Sequence, residues 1–182
     1  VPFKWYPKDE ILAHAAAWRL LDLSESTGVP IDMIIATKFP CYFARHPNKV
    51  AWLCHQYRAA YELCGTVYSD FEHVDGDVGL RQKLIALDTE MLGECRGLYT
   101  IARNTANRLA KYNGLIAQTL YHPPRLADRL VPGDAQDYIL SVGRLETVKR
   151  VDLAIRALAT VPPPLRLVIV GDGTQGENLR RL

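Results

Sequence analysis

YILSVGRLETVKRVDLAIRAL (residues 138–158) and LVIVGDG (residues 167–173) decide the fold. Residues 138–142 form a short apolar run that ends at Gly143. Such a run, closed by glycine, reads as a strand buried in a sheet. Residues 143–149 read as a loop, and the period then changes. Val151, Ala154, Ile155 and Leu158 recur at i, i+3, i+4 and i+7, which is one face of a helix. Pro162, Pro163 and Pro164 stop that helix. Residues 167–170 predict a second buried strand, and Gly171-Asp172-Gly173 turns the chain out of it. Strand, loop, helix, strand is the unit that builds a parallel sheet by right-handed crossover.

The same alternation extends upstream. Residues 9–24 predict a helix with Leu12, Ala16, Leu20 and Leu23 on one side and Gly28 past its end. Residues 32–37, between Pro30 and Pro40, and residues 49–55 read as buried strands. Residues 58–63 form a short helical segment. Residues 70–79 are acidic and carry glycine, which predicts a loop. Asp70, Asp75 and Asp77 resemble part of a calcium loop in spacing. The twelve-residue pattern with its terminal Glu is absent, so they read as solvated. A helix follows, with Leu80, Leu84, Leu87 and Met91 as its apolar stripe. Residues 97–102 predict a strand. Asn104 is placed to cap the next helix, and Asn113-Gly114 to end it. Residues 115–121 predict another strand.

His122-Pro123-Pro124 and then Pro132-Gly133-Asp134 interrupt this pattern and mark a connection. The expected organisation is an α/β fold with an N-terminal unit over residues 1–120, a hinge over 121–135 and a second unit over 136–182.

Composition narrows the possibilities. The 182 residues carry a formal net charge of +2, too small to argue for a nucleic-acid or bilayer partner. Residues 1–6 lack a signal-peptide core, and no stretch reaches the ~18 apolar residues of a membrane span. The four cysteines, Cys41, Cys54, Cys64 and Cys95, fall at no metal-ligand spacing. They read as free, mostly buried thiols of a reducing compartment.

Open parallel sheets bind ligands at the carboxyl ends of their strands, and three places qualify. In Gly143-Arg144-Leu145-Glu146-Thr147-Val148-Lys149 the chain leaves a strand and enters a helix. Glycine permits the tight turn, a helix N-terminus favours anions, and Arg144 and Lys149 can reach a phosphate. Solvated surface charge is the plain alternative. The second place is Gly171-Asp172-Gly173, which taken by itself is equally a strand-to-helix turn. The third is His55, at the end of the strand over residues 49–55, where it could donate to a sugar hydroxyl or a developing charge. Its plain alternative is a structural histidine. His14, His46, His73 and His122 have no clearer claim.

With these residues in view, SVGRLETVKRVDLAIRA (141–157) followed by LVIVGDG resembles the family 4 glycosyltransferases of bacterial type. The resemblance continues upstream through DMIIATKFP (32–40), HPNKV (46–50), WLCHQYRAAY (52–61) and LYHPP (120–124). It implies a GT-B-like fold: two Rossmann-like parallel-sheet domains, both incomplete here, with a cleft between them. It implies donor diphosphate binding at Gly143, Arg144 and Lys149, a donor-side loop at Gly171, Asp172 and Gly173, and a catalytic role for His55 as the strand-end histidine of the N-terminal domain that approaches the donor sugar. The family runs to about twice this length, as two complete domains require. Its glycine-rich first strand-turn and its Glu-x7-Glu element have no counterpart in the 182 residues. Glu177 does not replace the latter.

The activity so implied is retaining transfer of a sugar from a nucleotide-diphosphate sugar to a hydroxyl acceptor. No metal or cofactor takes part, and the leaving phosphate helps deprotonate the acceptor. Many family members work on lipid-linked or cell-envelope acceptors at the cytoplasmic face of the membrane. The chain alone is expected to turn over little or no sugar. Two other readings stay open: a non-catalytic nucleotide-sugar-binding module, and another GT-B enzyme such as a sugar epimerase. A dehydrogenase is disfavoured, because no GxGxxG with a following acidic residue is present.

Overall fold

The structure is a computed structural model that describes residues 8–182. The expectation about a signal peptide at residues 1–6 lies outside the described residues. Contacts divide the chain into two units, one running to Arg125 and the other spanning Leu126–Leu182.

In the first unit a 3-10 turn (Lys8–Glu10) leads into helix α1 (Ile11–Arg19). This helix is shorter than its apolar period suggests. Leu20, next on the stripe, is 78% exposed, and the chain turns into a small hairpin instead. The hairpin pairs β1 (Glu25–Ser26) with β2 (Val29–Pro30). Thr27 and Gly28 at its tip have φ of 53° and 79°. Positive φ at both central residues is the turn whose twist matches that of paired strands.

The main sheet follows: β3 (Ile34–Lys38), β4 (Lys49–His55), helix α2 (Asp75–Gly93), β5 (Gly97–Thr100), helix α3 (Arg103–Asn113) and β6 (Gln118–Thr119). Strand order is β3-β4-β5-β6 and every pair is parallel. Each crossover steps the same way along the sheet. Right-handed connections therefore place α2 and α3 on one face, where the two helices touch. Ala36, Ala51 and Leu53 of the sheet meet Ile11, Ala15, Leu84, Met91, Leu92 and Leu109 of the helices in one core. Phe39, Tyr42, Phe43, Tyr57, Tyr61 and Phe71 close its ends.

Several expectations need correction. β3 is not a buried strand: it is the sheet edge, only Ala36 is buried along it, and Ile35 is 54% exposed. The helical segment at residues 58–63 is a single 3-10 turn, Arg58–Ala60. The acidic loop already contains the first turn of α2. There Asp77 is buried, not solvated: it pairs with Lys8 at 2.7 Å and accepts the Glu72 backbone N–H at 2.7 Å. The Lys8 ammonium holds the Asp77 carboxyl below its ordinary range. Asn104 does not cap α3, which begins one residue earlier with Ala102 at the N-cap. Gly114 does end that helix, in the left-handed region at φ 65°. The strand expected over residues 115–121 shrinks to β6. All four cysteines are unbridged, and each is half-buried rather than buried.

In the second unit β7 (Tyr138–Val142), helix α4 (Val151–Leu158), β8 (Arg166–Val170) and helix α5 (Gly176–Arg180) follow in turn. β7 and β8 pair in parallel from Tyr138↔Arg166 to Val142↔Val170. Elements and pairing match the sequence reading, but the strands are not buried. Leu140 is 53% exposed and Val142 70%. Among the described residues, Leu145 and Val151 are the buried side chains of this unit.

One buried charge sets a pH dependence. Asp88, fully buried on α2, accepts the Tyr61 hydroxyl at 2.6 Å. Among the described residues its other oxygen, Oδ1, has no hydrogen bond, nor has the nearby Tyr42 hydroxyl. Burial pushes the Asp88 pKa up from 3.8 to about 7, outweighing the Tyr61 hydrogen bond. A carboxyl whose pKa is raised on folding favours the fold only while protonated. Its effect on stability is thus unopposed below about pH 4, declines as pH rises to about 7, and is flat beyond. The span corresponds to about 4 kcal/mol. We expect Asp88→Asn to abolish this fall, measured by urea unfolding at pH 5 and pH 8. An unchanged difference between the two pH values in the variant would show that another group is responsible.

Candidate functional site

The carboxyl end of β7 meets the carboxyl end of β8 chiefly through backbone. Gly143 N–H donates to the Val170 carbonyl at 3.0 Å, Leu145 N–H to the Asp172 carbonyl at 2.9 Å, and Gln175 N–H to the Leu145 carbonyl at 2.8 Å. The parallel ladder thus continues past both strands and stitches the loop at 143–145 to the loop at 171–175. Two glycines make this possible. Gly171 sits at φ 146°, and a Cβ there would lie 1.8 Å from the Gly143 carbonyl oxygen. A Cβ on Gly173 would lie 2.5 Å from the Leu145 carbonyl oxygen. Side chains add one more tie, from the Thr174 hydroxyl to the Glu146 carboxylate at 2.9 Å.

Leu145 turns inward and is buried, while Arg144 before it is exposed. Lys149 ends the 3-10 turn Thr147–Lys149 and is also exposed. Arg150 follows in the left-handed region at φ 50°, at the N-cap of α4, and its guanidinium forks onto Asp152 at 3.1 and 3.2 Å. Of these three neighbouring cations one is therefore committed. The Arg144 and Lys149 side chains have no hydrogen bond or ion pair among the described residues. The loop offers two free cations over a backbone frame fixed by close glycine contacts.

Residues 125–182 match the family model described as glycosyl transferases group 1. No curated protein and no solved structure matches the chain. The match takes in the whole second unit, including both stitched loops, and points to glycosyl transfer. Members of that family bind nucleotide-sugar donors and acceptors. Among the described residues no helix is long and apolar enough to cross a membrane.

His55 belongs to the first unit. It ends β4 opposite Lys38, and its Nδ1 lies 2.7 Å from the Gln56 carbonyl. A carbonyl only accepts, so Nδ1 carries the proton and Nε2 of the neutral ring is an acceptor. His55 can thus receive a hydrogen bond from a hydroxyl at Nε2. It donates there only when protonated.

The polar interior behind His55 escaped the sequence reading. Gln56, fully buried, donates from its amide to Asn113 Oδ1 at 3.1 Å and accepts from Arg108 Nε at 3.2 Å. Asn113 in turn donates to Thr89 Oγ1 at 2.8 Å and to the Tyr61 hydroxyl at 3.4 Å. Tyr61 leads to Asp88. One signal for this chain was legible: Asp88 lies four residues after Leu84 and three before Met91, on the apolar stripe of its helix. A carboxylate on a core stripe needs a buried partner. Asn113 carried no such signal beyond marking a helix end.

Proposed function

We propose that the chain is part of a retaining glycosyltransferase that moves a sugar from a nucleoside-diphosphate sugar to a hydroxyl acceptor, without a metal. The observation that carries this reading is the pair of uncommitted cations, Arg144 and Lys149, on the glycine-stitched frame at the ends of β7 and β8. A diphosphate leaving group gains negative charge as the glycosidic bond breaks. Fixed cations stabilise that charge more in the transition state than in the ground state. Gly143 lets the backbone approach the phosphates, and the loop at Gly171, Asp172 and Gly173 forms the donor side. His55 takes a hydrogen bond from a donor-sugar hydroxyl at Nε2. The setting proposed for this chemistry is the cytoplasm, with a saccharide acceptor.

We further infer that catalysis needs protein beyond these two units. Parallel sheets are ordinarily covered on both faces. Here Ile35 in one unit, and Leu140, Val142 and Val170 in the other, present apolar strand surface to solvent. That exposure supports an enzyme piece that binds without turning over.

Calorimetric titration of the chain with nucleoside diphosphates and the matching monophosphates tests the donor site. The diphosphate is expected to bind about tenfold tighter, the worth of an added charge-assisted contact. Equal affinity for the two, or no binding of either, would refute the diphosphate assignment.

A further inference from the structure

A cavity of about 230 Å³ lies in the first unit and is lined by Glu62, Asn104, Asn107, Arg108, Lys111 and Tyr112. All but Glu62 come from α3, at helical spacing, so the wall is a single polar face of one helix. Glu62 faces it from the loop after β4.

The floor is rigid. Arg108 donates to Glu62 at 2.7 Å and to the buried Gln56 at 3.2 Å, and only 11% of its side chain is exposed. Arg58 also pairs with Glu62. The upper wall is uncommitted. The amides of Asn104 and Asn107, one helical turn apart, make no hydrogen bond among the described residues. Lys111 places its ammonium 5.2 Å from the centre of the Tyr112 ring and has no carboxylate partner among those residues. Of the lining residues, the two cations Arg108 and Lys111 outnumber the one carboxylate, Glu62.

This chemistry selects a ligand class. Primary amides both donate and accept, as vicinal sugar hydroxyls do. Excess cations favour a phosphate or carboxylate. The volume falls below the roughly 300 Å³ at which sites for drug-sized molecules begin, so it suits a single ring. Within the first unit the cavity is tied to His55: Arg108 holds Gln56, the residue after it. We infer that this cavity binds the anionic, hydroxyl-bearing sugar of the acceptor, a sugar phosphate or uronic acid. Its assignment to the acceptor rests on the transferase reading; its ligand class does not.

The other cavities lack these features. In the one lined by Arg19, Asp22, Arg45, His46 and Glu94, Glu94 is already taken by Arg19 and Lys49. Both nitrogens of His46 are bonded there, to the Ile31 carbonyl and the Asn48 N–H. The apolar hollow between α1 and α2 shows nothing of what would cover it.

The test is nuclear magnetic resonance of the nitrogen-15-labelled chain during titration with glucose 6-phosphate, glucose and inorganic phosphate. Saturable shifts of the Asn104 and Asn107 side-chain amides are expected with glucose 6-phosphate. Glucose and phosphate should each bind about tenfold more weakly, as should glucose 6-phosphate to Asn107→Ala and Lys111→Ala, both exposed positions. The inference fails if no saturable shift appears, if phosphate alone binds as well, if the variants bind unchanged, or if the shifts fall at residues 143–149. Nucleoside diphosphate binding at residues 143–149 is read separately, so either assignment can fail while the other stands.

Discussion

Arg144→Ala and Lys149→Ala are each expected to weaken nucleoside diphosphate binding by about tenfold, and the double variant to abolish it. Each replaces an exposed cation, so part of its attraction is screened by water and salt. What remains is a charge-assisted hydrogen bond, worth roughly 1.5–3 kcal/mol in total. The lower figure suits this exposed loop. In a form of the protein that turns over, the loss in rate should be larger, on the order of a hundredfold, because the leaving group is more negative in the transition state. Arg166→Ala is the control. Arg166 begins β8, so it sits at the opposite end of the strand from the loops. Its removal should leave binding unchanged. Calorimetry on the three single variants decides the matter. Unchanged affinity in both loop variants would remove the diphosphate assignment, and an equal loss in Arg166→Ala would reduce it to unspecific charge attraction.

The second unit was the more legible one in the sequence because its signals are local. Apolar runs closed by glycine gave β7 and β8, and the i, i+3, i+4, i+7 pattern gave α4 at the residues observed, Val151–Leu158. Burial was not legible there. A run such as residues 167–170 shows that a strand could be covered on both faces, not whether anything covers it. In the first unit the same local signals misplaced ends. Leu20 and Leu23 prolong the period of α1, yet the turn at Thr27-Gly28 draws the chain into a hairpin. Gly76 and Gly79 disguise the first turns of α2, where the Lys8–Asp77 pair, 69 residues apart, contributes a tertiary contact that no local pattern contains. The candidate site divides similarly. Arg144, Lys149 and the glycines stand out as residue types at strand ends. Which cation is committed, Arg150 to Asp152, depends on a left-handed backbone at Arg150 that the sequence does not announce.

Gly171→Ala is expected to dismantle the second unit. Its φ of 146° is a conformation essentially confined to glycine. A methyl there would also meet the Gly143 carbonyl oxygen at 1.8 Å, well inside contact distance. The neighbouring atom is backbone, held by the Gly143-to-Val170 and Leu145-to-Asp172 hydrogen bonds, so it cannot swing aside as a side chain would. Relief requires breaking the stitched ladder, at a cost of more than about 4 kcal/mol. The unit has little to set against that, since Leu145 and Val151 are its buried side chains among the described residues. Hydrogen exchange resolved by peptide is the suitable measurement. Amides of residues 138–182 should lose protection in the variant, while those of β4 and α2 keep theirs, and nucleoside diphosphate binding should vanish with the frame that positions Arg144 and Lys149. Gly133→Ala, where a Cβ meets no atom within 4 Å, serves as the matched control and should change neither readout. Retained protection and retained binding in Gly171→Ala would mean that the two loops do not lie backbone against backbone. The argument that ties both cations to one rigid frame would then fall.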